Sequence, residues 1–286
     1  MYNIKNLFLL LTLTNFSFNV SSQEDNLKPY IDSIQTNELL GHLLSQQDWA
    51  AEVGTDAIIR LGADLTNKKL KAFIVEKLEN SWLLSFIGKR KFSNGIYYQI
   101  EVSLKGPIDT SYKNHEKPIN LTKYQKSLFK ATQLAKKQEI MKCSSSYNNS
   151  AIPLIREDGT THFYVYMLAA TNDSTINIGG GHHRFLIDPN KNNIVEHFQH
   201  TNTCLNSTSN KDATSLVFTH FTSDVPNEFH IYMSYLNELP IYVLTMENKI
   251  IWKVFEGKII LIENPNEGNN KSIQDRMKNI IKKNKK

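Results

Sequence analysis

The stretch IYVLTMENKIIWKVFEGKIILI, residues 241–262, decides the fold class. Three apolar runs, Ile241–Met246, Lys249–Phe255 and Lys258–Ile262, are separated by Glu247-Asn248 and Glu256-Gly257, which read as tight hairpin turns. Connections this short force antiparallel neighbours, because a parallel pair needs a long crossover. Alternation continues upstream and predicts further strands over His162–Ala170, His183–Asp188, Ser215–Thr222 and Glu228–Leu236. An antiparallel β-meander of five to seven strands is therefore expected over residues 145–263.

Before Cys143 the period is helical. Leu39, Leu40, Leu43 and Leu44, then Ala57, Ile58, Ile59 and Leu61, recur at helical spacing, with Gly41, Gly54 and Gly62 as interruptions. From Asp64, a candidate N-cap, Leu70, Phe73, Ile74, Leu78 and Trp82 line one side of a predicted helix. Asn94-Gly95 opens an alternating strand over Ile96–Leu104, a polar loop carries Pro107 and Pro118, and Thr122–Met141 is predicted as a long helix anchored by Leu128, Leu134 and Ile140. The expectation is an α+β protein whose helix-rich N-terminal part, residues 23–144, packs with the C-terminal meander.

At the amino terminus Leu7–Leu13 is a short apolar run preceded by Lys5 and followed by Val20-Ser21-Ser22, the anatomy of a secretory signal over residues 1–22. The run is far shorter than the ~20 residues that cross a bilayer. The protein is therefore expected outside the cytosol, periplasmic or extracellular. Exactly two cysteines, Cys143 and Cys204, suit one disulfide in such a compartment, and neither lies in a CxxC or Cys-Gly context. Sequons at Asn120, Asn148, Asn172, Asn206 and Asn270 occur at about the frequency that this Asn-rich composition gives by chance.

The formal net charge of +5 is carried by the ends of the chain. Residues 264–286 form a basic tail, with seven Lys or Arg from Lys271 to Lys286 against Asp275 alone, so the body is close to neutral and a nucleic-acid surface is not expected. Ile273, Met277, Ile280 and Ile281 fall on one stripe of a short helix in this tail, which allows a weak contact with an anionic membrane.

The one compact group with chemical potential is Gly179-Gly180-Gly181-His182-His183-Arg184. Its glycines can turn backbone N–H groups toward an anion, and Arg184 can pair with a carboxylate or phosphate. It matches neither a P-loop nor a Rossmann fingerprint, so no cofactor is expected. His182 and His183 must point to opposite faces of a strand, which bars them from sharing one ion. His197 and His200 are three apart, and His220 and His230 stand on consecutive predicted strands, which makes the latter pair candidate metal ligands. The leading expectation is a non-enzymatic exported binding protein with a protein or small-ligand partner. The alternative is a metal-assisted hydrolase in which His220 and His230, with His183, hold the ion and Glu228 accepts the proton of its water.

Overall fold

A computed structural model describes residues 27–173, 175–208, 212–263 and 275–276 of the protein. The expected signal segment 1–22 and all but Asp275 and Arg276 of the expected tail lie outside the described residues. The architecture is α+β, with long sheets and three helices longer than one turn among the described residues.

Helix α1 (Ile31–Arg60) runs unbroken through Gly41 and Gly54 and ends at Gly62, whose φ is +91°. The two internal glycines mark close packing rather than interruptions. A Cβ at Gly41 would lie 2.5 Å from the Ile231 side chain, and one at Gly54 would lie 2.9 Å from Leu84.

The helix expected from Asp64 is instead a β-hairpin. Strands β1 (Leu70–Lys77) and β2 (Ser81–Lys89) pair antiparallel, followed by β3 (Asn94–Ser103) and β4 (Gly106–Ile119), in the order β1-β2-β3-β4. Asp64 holds an Asx turn, accepting from the Thr66 N–H and hydroxyl, and caps no helix. The segment with Pro107 and Pro118 is an edge strand, not a loop, and both prolines stand near its ends where a missing N–H does least damage. Helix α2 (Lys123–Lys136) has a reciprocal capping box between Thr122 and Gln125.

A second antiparallel sheet comprises β5 (Ser146–Ile155), β6 (Thr161–Ala170), β8 (His183–Asp188) and β9 (Asn193–Gln199) in that order. Short strands β7 (Ile176–Ile178) and β10 (Asn206–Thr208) form a ribbon beside it. Strand β11 (Leu216–His220) then leads into helix α3 (Glu228–Asn237), where a strand was expected, and on to β12 (Ile241–Thr245), β13 (Ile251–Phe255) and β14 (Lys258–Glu263). The two hairpins of residues 241–262 are antiparallel, but β11 pairs with β12 in parallel because α3 supplies the crossover. The single meander is thus two four-stranded sheets and a two-stranded ribbon.

Side-chain alternation on β6 links these layers. Phe163, Val165 and Met167 pack with α2 through Leu128, Phe129 and Ala135, whereas Tyr166 and Leu168 pack on the opposite face with α1 and with Phe229 and Tyr232 of α3. Beyond α1 and α3 lie Val243, Trp252, Val254 and Leu261 of the β11–β14 sheet. The rest of α1, from Ala50 to Ile58, covers Leu84, Ile100 and Val102 of the first sheet. Cys143 and Cys204 form a disulfide. Among the described residues no helix is long and apolar enough to cross a membrane.

Gln47, 2 % exposed on α1, joins the edges of two sheets. Its amide donates to Val75 O of β1 at 2.9 Å and Ala151 O of β5 at 3.0 Å, and its oxygen accepts from Ala151 N at 2.8 Å. Gln47→Leu keeps the approximate volume and strands these groups. It is expected to lower unfolding free energy by about 2–4 kcal/mol in urea titration, since a buried backbone group left unpaired costs ~1–3 kcal/mol. A change below 0.5 kcal/mol would refute the bridging role.

Candidate metal centre

Three elements deliver one histidine each to a closed cluster. His200 follows the last residue of β9, His220 is the last residue of β11, and His230 lies in the first turn of α3. All three are 3 % exposed or less, and one ring nitrogen from each lies within 4.8 Å of the other two. The ring centroids of His230 are 4.7 Å from those of both His200 and His220. His182 stands beside the group, 6.0 Å from His200 and stacked on Phe229.

Local sequence accounts for each placement. Asn227 caps α3, accepting from Phe229 N at 3.2 Å, while its own N–H donates to His230 Nδ1 at 3.1 Å. This is a capping box with histidine in the position usually held by Glu or Gln. The Asn227 side chain also meets His200, with Nδ2 3.2 Å from Nδ1. The His220 Nε2 is 2.8 Å from Ser223 Oγ and 3.2 Å from Thr222 Oγ1, and Ser223 gives its own proton to Val225 O.

These partners assign the protons. A backbone N–H only donates, so His230 Nδ1 accepts and its proton resides on Nε2. Asn227 Oδ1 is committed to the cap, so Nδ2 donates to His200 and places that ring's proton on Nε2 as well. Ser223 Oγ accepts from His220 Nε2–H, leaving the His220 lone pair on Nδ1. His220 therefore has the outer donor bond usual for a metal ligand, whereas ligation through Nε2 of His200 and His230 requires their protons to leave that atom.

The rings are neutral at neutral pH. Burial lowers His182 and His220 to about 4. His200 and His230 are pushed well below the usual range by burial first and by neighbouring imidazoles second.

The glycine-rich segment has other duties. Gly179 N donates to Leu205 O at 2.6 Å, and Gly181 N donates to Thr201 Oγ1 at 3.2 Å, so these N–H groups face protein. Gly181 has φ +75°, and a Cβ there would lie 2.4 Å from Cys143 Cβ. Only glycine meets both demands. A Cβ at Gly179 or Gly180 would meet Phe218 or Thr201. Arg184 donates to Glu228 and, at 3.4 Å, to Glu196, with its guanidinium over the rings of Tyr164 and Phe198.

His182 and His183 do face opposite ways. The His183 Nε2 donates to Met141 O at 3.1 Å, and its Nδ1 is 3.0 Å from His197 Nε2, beside Phe185 and away from the cluster. The expected third ligand, His183, is thus not with His220 and His230; His200 takes that place. Its signal in the sequence was the three-residue spacing from His197, but His197 pairs with His183 away from the cluster. Comparison with protein-family models, with curated proteins and with solved structures finds no match.

The neutral rings give stability a defined pH dependence. Their folded pKa values lie below the unfolded value of ~6.5, so the unfolded chain takes up protons first as pH falls. Stability from this source is complete above about pH 7, declines through pH 6.5 and is lost near pH 4. The urea midpoint should already fall between pH 7 and pH 5, above most carboxylate titration, and His220→Gln should reduce the slope. A flat midpoint over that interval would contradict the neutral-cluster assignment.

Proposed function

We propose that the protein is an exported, non-enzymatic binding protein whose ligand is a transition-metal ion held by His200, His220 and His230. The observation that carries this reading is the convergence of three buried ring nitrogens within 4.8 Å. Imidazole suits zinc, copper, nickel and iron, and three imidazoles from separate elements would tie β9, β11 and α3 together. Export is supported by the disulfide, which persists in oxidising compartments, and by the leader-like run Leu7–Leu13.

Two observations favour binding over hydrolysis. The cluster is closed, whereas a catalytic ion keeps a position open to water and substrate. Glu228, the expected proton acceptor, is 1 % exposed, with one carboxylate oxygen paired to Arg184.

Titration of metal-free protein with Zn2+ and Co2+ should give one ion per chain and raise the thermal midpoint, since an ion at 100 times its Kd adds ~2.7 kcal/mol. His200→Ala, His220→Ala and His230→Ala should each weaken uptake at least about tenfold. Asn227→Asp should tighten it, because the carboxylate keeps the helix cap, accepts the His200 Nδ1 proton and frees Nε2 for the ion; outer partners of this kind are worth about 10–100-fold. Uptake unaffected by all three alanine substitutions would sink the proposal.

A further inference from the structure

We infer that the Cys143–Cys204 disulfide is a redox control on the histidine centre, holding His200 in binding position when oxidised and releasing it when reduced. The inference rests on the metal-binding reading above.

The three ligands are anchored unequally. His220 is fixed by the end of β11, which pairs with β12, and by Ser223 and Thr222. His230 is fixed within α3. His200 lies past the end of β9, in a segment over residues 200–205 that has no strand or helix of its own. That segment is held by a short set of contacts. His200 N donates to His182 O at 3.0 Å and its Nδ1 accepts from Asn227 Nδ2 at 3.2 Å, Thr201 Oγ1 accepts from Gly181 N and donates to Thr203 O, Gln199 Nε2 donates to Thr201 O at 2.6 Å, and Leu205 O accepts from Gly179 N at 2.6 Å. Cys204 closes it covalently onto Cys143, and the disulfide rests directly against Gly181, the residue before His182.

Cys143 belongs to the segment after α2 that is also laced to the end of the second sheet, through Met141 O on His183 and Tyr147 OH on Cys143 N. The disulfide is the covalent link between these two segments, since the sequence has no other cysteine. Cys204 is exposed and Cys143 half-buried, so a thiolate can reach the bond. A dithiol reductant donates two electrons; the S–S bond breaks, two protons complete the Cys143 and Cys204 thiols, and the reductant closes its own disulfide. Residues 201–205 are then held beside Gly181 by hydrogen bonds alone. The centre retains His220 and His230 on fixed elements and loses the position of the third ligand.

The test compares zinc affinity in a chromophoric chelator competition. Free thiols themselves ligate zinc, so the comparator for the oxidised protein is the Cys143→Ser/Cys204→Ser double variant, with folding checked by circular dichroism. Protein reduced after folding and alkylated with iodoacetamide serves as a second comparator if the variant fails to fold. Both open forms should bind at least about tenfold more weakly than oxidised protein. The effect must run through His200, so adding His200→Ala to the oxidised and to the double-serine protein should abolish the difference between them. Equal affinity in oxidised and open forms would overturn the redox control while leaving the metal centre standing. Absence of zinc uptake by the oxidised protein would overturn the metal centre and this inference with it.

Discussion

The amide of Gln47 is the constraint on which the arrangement depends. Strands β1 and β5 are edges of different sheets and do not hydrogen-bond to one another, yet their backbone groups at Val75 and Ala151 are brought to a single buried side chain. A buried edge would otherwise leave unpaired N–H and C=O groups, which is unfavourable by more than most apolar contacts return. The bridge fixes α1 along both sheets. Once α1 is fixed, Gly41 determines how closely α3 approaches, because Ile231 occupies the space that a side chain would take. The position of His230, one residue earlier, follows from that helix contact. A chain of close packing therefore runs from the junction of two sheets to the histidine centre.

Much of this was legible where local chemistry is strong. Glu256-Gly257 and the alternating runs of residues 241–262 identify β12, β13 and β14, since a turn and a period of two act over a few residues. Thr122 likewise announced α2. The misread elements are those where two periods coincide or where burial removes the pattern. Leu70, Phe73 and Ile74 fit a helical face, yet Phe73-Ile74-Val75 and the turn before Ser81 suit a hairpin better. In α3 every residue from Glu228 to Ser234 is buried, so no polar face reveals the 3.6 period, and its capping box carries His230 in place of a carboxylate or amide. His220 and His230 were visible as a pair because short sequence separation brings them near under either assignment. His200 was visible only beside His197, because its place with the other two arises through the pairing of β8 with β9, which is non-local.

Strand β8 separates two kinds of polar chemistry. Toward α3 lie Arg184 and, just before the strand, His182, while toward α2 it presents His183 with Phe185, and each side resolves its burial differently. Arg184 remains charged and is matched by Glu228, whose place in the first turn of α3 also suits the positive end of the helix dipole. The imidazoles avoid the cost of burying charge by remaining neutral. Charge and neutrality lie within a few residues of each other because one is paired across the helix start and the other is not.

Asn227 joins stability and binding in one residue. Its oxygen satisfies the start of α3, and its two donors hold the acceptor nitrogens of His200 and His230. The same bonds that organise the cluster keep protons on nitrogens that an ion would need. Metal entry and the intact cap thus oppose one another at two of three ligands, while His220 is already arranged for ligation. As the metal site proposed above, such a cluster would trade affinity for order without the ion, which puts the weight of ion uptake on how His200 is positioned.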